Sequence, residues 1–213
     1  MTELQKRILS SVILTAVAVG SVVVGGEIFF TVLAILCAGC LYEVYRMFRS
    51  WPARGSVALY IVLGFAAAYY FRLDFGWIPF LIMSSTIALT DIGAYMAGRT
   101  FGGPKLAPKI SPTKTWAGAL GGLALSLVFI ALMFAVWADA RNHMSMVSVF
   151  IMTVIVSISA QAGDLFESWL KRRAGVKDSG GMIPGHGGLF DRLDSWIGAF
   201  IVNGLIHFIL VNV

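Results

Sequence analysis

The chain has 213 residues, of which 58% are hydrophobic and 13% are charged, and its mean hydropathy is +0.84. Charged residues make up about a quarter of an ordinary soluble domain, so the composition excludes that class and predicts an all-α, polytopic integral membrane protein. The formal net charge of +5 does not indicate a protein that binds nucleic acid, because excess Lys and Arg in a membrane protein mark its cytoplasmic loops.

Four apolar segments fill the first half of the chain. A short polar start with Lys6 and Arg7 precedes the uncharged run 8–24, which predicts a first transmembrane helix rather than a cleaved signal peptide. Cys37 and Cys40 lie at helical spacing in the next segment, where buried packing is favoured over a metal or redox pair. Three more helices are expected here, at residues 27–47, 56–71 and 77–97.

Two polar loops separate the apolar segments of the second half. The first loop, residues 98–116, contains four basic side chains and three prolines but no acidic residue. The second loop, residues 166–195, is rich in charge and glycine. The intervening apolar runs predict three further helices, at residues 116–137, 146–165 and 195–211, which makes about seven in total.

Basic residues are distributed unevenly over the ends of these helices. If the N-terminus is cytoplasmic, 14 of the 16 Lys and Arg residues lie on the cytoplasmic side, and only Arg72 and Arg141 lie on the other side. The opposite orientation would invert this ratio. The positive-inside rule therefore predicts a cytoplasmic N-terminus and places both polar loops on the cytoplasmic face.

An ionisable residue within the membrane costs at least about 2.5 kcal/mol to insert, so each one is expected to have a structural or functional role. Asp91 is the clearest example, with Tyr95 and Gly98 continuing the same helical face toward the first polar loop. A functional role is favoured, and a hydrogen bond that packs two helices together is the alternative.

Helix six carries a polar stripe that ends at the second loop. Ser157, Gln161, Asp164 and Ser168 are spaced four, three and four residues apart, which places them on one helical face. The stripe brings Asp164 to the end of the helix. Glu167, one turn further on, is expected to be solvated.

Residues 168–194 combine five basic side chains, three carboxylates, one histidine and six glycines. Glycine lets backbone N–H groups approach an anion, Lys and Arg neutralise that anion, and carboxylates hold a divalent cation against it. This composition therefore suits phosphate binding.

As an ordered string, SxLKRxxxxKDxGxxxPxHGGLxDRxD in residues 168–194 resembles the signature of the CDP-diacylglycerol synthases, also called phosphatidate cytidylyltransferases. We call these residues the signature segment. Three earlier blocks, TDIGAY, KLAPKISPTKTW and QAGDLFES, extend the resemblance over about residues 76–213. Ala117 stands where the family usually has Glu. A single transmembrane domain is expected, with residues 1–75 as an N-terminal scaffold and 76–213 as the catalytic part.

The resemblance implies that CTP and phosphatidate react to give CDP-diacylglycerol and pyrophosphate. It also implies Mg²⁺, alone or with a second cation, as the cofactor, and a homodimer in contact with membrane lipids. Because CTP is cytoplasmic, the active site is expected to face the cytoplasm from the bacterial cytoplasmic (inner) membrane.

Candidate residues follow from these motifs. Asp164 and Asp191 are the preferred metal ligands, and Asp194 is either a third ligand or the cap of helix seven. The catalytic set is expected to comprise Asp164, Asp191, Lys171, Arg172 and His186. The nucleotide-binding set is expected to comprise Ser111, Lys114, Thr115, Lys177 and Arg192.

The same residues have simpler interpretations that remain open. The basic side chains can serve the positive-inside rule or contact lipid headgroups, and His186 can make a structural hydrogen bond. Three alternative functions are a related lipid-linked transferase, an anion transporter and a non-catalytic scaffold. A transporter usually shows internal repeats or paired broken helices, and the sequence has neither.

Overall fold

The computed structural model describes residues 3–136, 145–183 and 187–212. Within these residues the chain forms seven α-helices and one two-stranded antiparallel hairpin. The hairpin strands, β1 (Lys105–Ala107) and β2 (Ser111–Thr115), join the fourth helix to the fifth. The helices are α1 (Glu3–Val24), α2 (Gly26–Met47), α3 (Trp51–Phe75), α4 (Trp77–Phe101), α5 (Trp116–Val136), α6 (Met146–Ala174) and α7 (Phe190–Asn212).

Six helices in the described part of the chain, α2 to α7, are long and apolar enough to cross a membrane. Helix α1 contributes a shorter apolar stretch, Val12–Val24. Large apolar side chains remain exposed along the outer faces of the helices, as lipid contact requires, and Leu120 and Leu132 of α5 are examples. The chain is therefore an all-α polytopic integral membrane protein, as its composition predicts.

Helix α3 is longer than its apolar run, because polar residues continue it at both ends. It was expected at residues 56–71 and spans Trp51–Phe75. Its start is fixed by Ser50, whose Oγ accepts a hydrogen bond from the backbone N–H of Ala53 at 3.4 Å, and by a proline in the first turn. Gly76, with φ 86°, separates it from α4.

The loop predicted at residues 166–195 is much shorter than expected. Helix α6 continues past residue 165 to Ala174, since good helix formers such as Lys and Arg occupy its last turn. Gly175 ends it in the left-handed conformation, with φ 72°. Because α7 already begins at Phe190, the connection, which we call the signature loop, is confined to residues 175–189.

The loop predicted at residues 98–116 contains regular structure that the sequence did not indicate. Helix α4 extends to Phe101, α5 begins at Trp116, and the hairpin lies between them. Lys105 pairs with Thr115, and Ala107 pairs with Ser111. Strands of three and five residues are too short to show the alternation of apolar and polar residues by which strands are predicted.

Small residues allow very close contact between two pairs of helices. A Cβ atom added to Gly122 of α5 would lie 2.5 Å from the backbone oxygen of Thr90 in α4. A Cβ atom on Gly163 of α6 would lie 2.6 Å from the backbone oxygen of Asp194 in α7. Such close backbone approach is typical of helices that pack together in membranes, and it fixes the helices that carry the polar residues.

The ends of α2, α4 and α6 lie together with the hairpin at one end of the bundle, which we call the hairpin end. Arg172 Nε of α6 donates to the carbonyl oxygen of Ile110 in the hairpin at 3.3 Å. At the opposite end, Arg72 Nε of α3 donates to the carbonyl oxygen of Val22 in α1 at 2.8 Å. This arrangement agrees with the predicted alternation of helix directions.

The apolar core joins α1, through Val22, to α2, α3, α4, α6 and α7. Trp196 and Phe200 of α7 have ring centroids 4.4 Å apart and both contact Phe80 of α4. Cys40 is completely buried in this core and Cys37 is partly buried; both are free thiols. The predicted packing role of the buried Cys40 is thus confirmed.

Candidate active site

A cavity of about 390 Å³ lies at the hairpin end between α4, the hairpin, α5 and α6. Gly98 of α4 and Gly118 of α5 line its wall. Carboxylates and cations converge on a space of the size that ligand sites commonly have. The polar side chains in the wall are those of Asp91, Tyr95, Arg99, Thr113, Lys114, Thr115, Gln161 and Asp164.

The closest pair of opposite charges in the cavity joins the hairpin to α6. Lys114 Nζ lies 2.6 Å from Asp164 Oδ2, and the two side chains are 23% and 32% exposed. On α4, Arg99 Nη1 donates to the hydroxyl of Tyr95 at 2.7 Å. Because Lys114 and Asp164 are only partly buried, both can exchange this ion pair for contacts with a ligand.

The polar stripe of α6 forms two separate sets of hydrogen bonds, and one residue of each set, Gln161 or Asp164, lines the cavity. Thr90 Oγ1 of α4 donates to Ser157 Oγ at 3.2 Å, and both residues are completely buried. Gln161 Nε2 donates to Ser157 Oγ at 3.4 Å and to a backbone carbonyl of α5 at 3.3 Å. Ser168 Oγ donates to Asp164 Oδ1 at 3.5 Å. The predicted single face of α6 is therefore confirmed, and it faces α4 and α5.

Three carboxylates from three helices are neighbours beside the cavity. Ser195 Oγ donates to Asp91 Oδ1 at 3.2 Å, which ties α7 to α4. Asp194 interacts electrostatically with both Asp164 and Asp91. Because α7 begins at Phe190, Asp194 lies inside the helix, and the expectation that it caps helix seven is wrong.

Asp191, in the first turn of α7, is held by contacts within the signature segment. Its Oδ1 lies 2.7 Å from Lys171 Nζ. Its Oδ2 accepts hydrogen bonds from the backbone N–H groups of Ser179 at 3.0 Å and Gly188 at 3.2 Å. Asp191 thus joins the end of α6 to both ends of the signature loop.

Lys171 also holds a second carboxylate, from its own helix. Its Nζ lies 2.7 Å from Glu167 Oε2, one helical turn earlier. Glu167 is completely buried, so the expectation that it is solvated is wrong. The reason is that α6 continues beyond its predicted end, which keeps Glu167 packed beside α7.

Glu43 of α2 is a functional candidate that sequence reasoning missed. Its side chain is buried, with 2% exposed, and it accepts three hydrogen bonds from the signature segment. The donors are Ser179 Oγ at 2.9 Å, the Leu189 N–H at 3.0 Å and the Phe190 N–H at 2.9 Å. Glu43 is an acidic residue within an apolar helix, so the signal that singled out Asp91 applied to it as well.

Two of the predicted nucleotide-binding residues have structural contacts in the hairpin. Ser111 pairs with Ala107. Thr115 is buried, and its Oγ1 accepts a hydrogen bond from the Gly118 N–H at 3.0 Å, which caps the start of α5. Thr115 also lines the cavity with Lys114.

The other predicted basic residues lie at the hairpin end. Arg172 is exposed and joins α6 to the hairpin through Ile110. Lys177, in the signature loop, and Arg192, in the first turn of α7, are exposed. His186 lies outside the described residues.

The side chains beside the cavity are compatible with a shared magnesium ion. Mg²⁺ is usually held by one or two carboxylates together with substrate phosphates, and it retains bound water. Asp91 and Asp164 line the cavity and Asp194 is their electrostatic neighbour. Among the described residues, no group of three or more His, Cys, Asp or Glu side chains could hold a metal. The residues therefore fit an ion that is shared with a phosphate ligand rather than a cage made by the protein alone.

The fold and this site define a class of protein, a polytopic membrane protein whose cavity combines carboxylates with Lys and Arg, as phosphate groups and a divalent ion require. The model of the cytidylyltransferase family matches residues 48–210. This match covers most of the chain, and the chain belongs to the cytidylyltransferase family.

Several relatives of the chain are named phosphatidate cytidylyltransferase. One from Brucella suis biovar 1 is 39% identical over 174 residues, which cover 78% of this chain and 62% of the relative. One from Rickettsia bellii is 32% identical over 214 residues, covering 96% and 92%. One from Staphylococcus saprophyticus is 40% identical over 154 residues, covering 72% and 56%. The chain thus spans less than two thirds of the first and third of these relatives.

Proposed function

We propose that the chain transfers a cytidylyl group from CTP to phosphatidate, giving CDP-diacylglycerol and pyrophosphate. The observation that carries the proposal is the cavity in which Lys114 meets Asp164 at 2.6 Å beside Asp91 and Arg99. Its position at the end of apolar helices allows a membrane lipid and a water-soluble nucleotide to reach the same point. The names of the relatives support the same reaction.

The reaction joins two anions, so positioning and charge neutralisation carry most of the catalysis. An oxygen of the phosphatidate phosphate attacks the α-phosphorus of CTP in line. The bond from this phosphorus to the bridging oxygen breaks, and its electrons leave with pyrophosphate. Lys114 and Arg99, in the cavity wall, neutralise the phosphate oxygens, and no protein nucleophile is needed.

A bound Mg²⁺ would supply positive charge that neutralises the reacting phosphates. Two carboxylates together with the substrate phosphates would hold it: Asp164 with either Asp194, its neighbour beside the cavity, or Asp191, the other predicted ligand, from the first turn of α7. Lys171 positions Asp191. In this proposal Arg172, Lys177, Arg192 and His186 meet the nucleotide phosphates from the signature segment. Thr115 contributes to the hairpin wall of the cavity, and Ser111 meets the nucleotide from the same strand.

The proposal includes a location and an assembly. The hairpin end faces the cytoplasm from the bacterial inner membrane, because that side carries the excess of Lys and Arg. A homodimer in contact with membrane lipids is part of the proposal. Cross-linking in native membranes, followed by mass determination, tests the dimer, and a chain that stays monomeric would overturn this part.

A substrate panel tests the reaction itself. Purified protein with Mg²⁺ is given CTP with phosphatidate or with another phosphorylated lipid, and phosphatidate with CTP or with another nucleoside triphosphate. We expect pyrophosphate only from the combination of CTP and phosphatidate. Faster release with another lipid or nucleotide would favour a related transferase instead.

A further inference from the structure

Glu43 joins α2 to both ends of the signature loop. Ser179, near the start of the loop, donates to it through Oγ, while Leu189 and Phe190, at the end, donate through their backbone N–H groups. The cavity is lined from α4, the hairpin, α5 and α6, whereas Glu43 lies on α2. Glu43 therefore acts on the loop from outside the cavity.

The same loop ends are also held by Asp191. Ser179 donates its backbone N–H to Asp191 and its hydroxyl to Glu43. Gly188 donates its N–H to Asp191 at 3.2 Å. We call this arrangement of Glu43, Asp191 and Ser179 the clasp, since it joins the two described ends of the loop and attaches them to α2.

The clasp leaves no space for additional side-chain atoms. A Cβ atom on Gly180 would lie 2.5 Å from Glu43 Oε1, and one on Gly188 would overlap Ser179 Oγ. A Cβ atom on Gly39 of α2 would lie 2.6 Å from a methyl group of Leu189. The absence of a side chain at these three positions, one in α2 and two in the signature loop, therefore allows the close contact between α2 and the loop.

The partners of Glu43 require a carboxylate rather than an amide. All three partners donate to it, and an ionised carboxylate accepts with both oxygens. Leu189 and Phe190 lie at the start of α7, where N–H groups lack partners within the helix and the helix dipole favours a negative charge. Glu43 thus fixes the place where α7 begins, and the first two turns of α7 carry Asp191 and Asp194.

We infer that Glu43 is a positioning residue, which holds the two ends of the signature loop together and sets the placement of Asp191 and Asp194. Its effect on turnover rests on the proposed cytidylyl transfer. The attachment of the loop ends to Glu43 does not depend on that activity, and hydrogen exchange measures it in the absence of substrates. A residue in the N-terminal part of the chain thereby controls the geometry of the signature segment.

The test compares Glu43→Gln and Glu43→Asp with Glu27→Gln, a matched control at the exposed other end of α2. In folded Glu43→Gln, hydrogen exchange at the Leu189 and Phe190 amides should accelerate at least about tenfold, since hydrogen bonds to a charged group are lost. The amides of residues 105–115 should be unchanged. The kcat for CDP-diacylglycerol formation should fall by a similar factor, Glu43→Asp should recover part of it, and Glu27→Gln should match wild type.

Unchanged exchange at Leu189 and Phe190, or an equal acceleration throughout the chain, would overturn the inference. Faster exchange at these amides with an unaltered kcat would also overturn it. If Glu43→Gln cannot be obtained folded, Ser179→Ala is used instead, because it removes one hydrogen-bond partner of the Glu43 carboxylate. Unchanged exchange at Leu189 and Phe190 in this variant would overturn the inference. A wild-type protein without cytidylyl transfer would contradict the proposed function, while the exchange data would still test the clasp.

Discussion

At the scale of single residues, Asp164 connects the parts of the candidate site. It meets Lys114 of the hairpin at 2.6 Å and Ser168 of its own helix at 3.5 Å. It also interacts electrostatically with Asp91 and Asp194. Asp191 has a different environment, because Lys171 and two backbone N–H groups surround its carboxylate.

Exchanging either proposed metal ligand for its amide should nearly abolish turnover. Asp164→Asn and Asp191→Asn keep the shape of the side chain but remove the charge that a hard cation needs. The double variant should be little worse than either single variant, because groups that act as a unit are not additive. Asp178→Asn, at an exposed position of the signature loop, should lose less activity. Substantial Mg²⁺-dependent activity in either folded single variant would show that the metal site is assigned wrongly.

Truncation of Lys114 and of Lys171 should have different effects on the stability of the fold. Lys114→Ala should reduce turnover with little effect on unfolding, because its ion pair is partly exposed. Lys171→Ala should reduce turnover and also destabilise the fold by about 3 to 5 kcal/mol, because it leaves buried Glu167 without its cation. Arg49→Ala, at an exposed site between α2 and α3, is the control. Thermal unfolding and product formation are measured for all three, and equal losses would contradict these roles.

Sequence alone could identify some of these residues but not their contacts. Asp91 and Asp164 were predictable, because a charge in an apolar helix or at the end of a polar stripe is conspicuous. The burial of Glu167 was not, because it depends on the continuation of α6 past its predicted end. The contacts of Glu43 were not, because its partners lie far away in the sequence. Glu43 and Ser179, for example, are separated by 136 residues.

At the scale of elements, hydrophobic runs predicted the existence and order of the helices, and local polar chemistry set their ends. Helix α6 extends to Ala174, where Gly175 stops it, and this places Glu167, Lys171 and Arg172 on a helix. The hairpin could not be predicted, since its short strands lack an apolar pattern. It matters for the site because β2 delivers Lys114 to Asp164.

The close contact between α4 and α5 should not tolerate a larger residue at Gly122. Gly122→Ala would place a methyl group 2.5 Å from the backbone oxygen of Thr90. We expect a loss of about 1 to 3 kcal/mol in the free energy of unfolding. Activity should also fall, because these two helices form walls of the cavity.

Gly55→Ala in α3 is the matched control. A Cβ atom there has no neighbour within 4 Å, so we expect no loss of stability. Denaturation in the same detergent compares the two variants. Equal stability would mean that the α4–α5 contact tolerates more separation than the structure indicates.

At the scale of the whole molecule, the helices alternate so that both polar connections meet at the hairpin end. The sequence predicted this alternation from the distribution of Lys and Arg, and the contact between Arg172 and Ile110 agrees with it. The division into a scaffold of residues 1–75 and a catalytic part remains a prediction. Glu43 shows that the first part contacts the signature segment directly.

Single cysteines introduced into a cysteine-free variant should report the orientation. Lys109→Cys and Gly181→Cys, both at exposed positions of the hairpin end, should react only with reagent that reaches the cytoplasmic side. Asp74→Cys, at the opposite end of the bundle, should react only from outside. Labelling of Gly181→Cys from the outside in intact cells would contradict the proposed orientation.

The most direct measurement for the proposed function follows two labelled phosphates of CTP through one reaction with phosphatidate and Mg²⁺. With the label at the α-phosphate, we expect it in the lipid extract as CDP-diacylglycerol. With the label at the γ-phosphate, we expect it in the aqueous phase as pyrophosphate. Transfer of the γ-phosphate to lipid, or release of pyrophosphate without phosphatidate, would contradict the assignment of cytidylyl transfer to this chain.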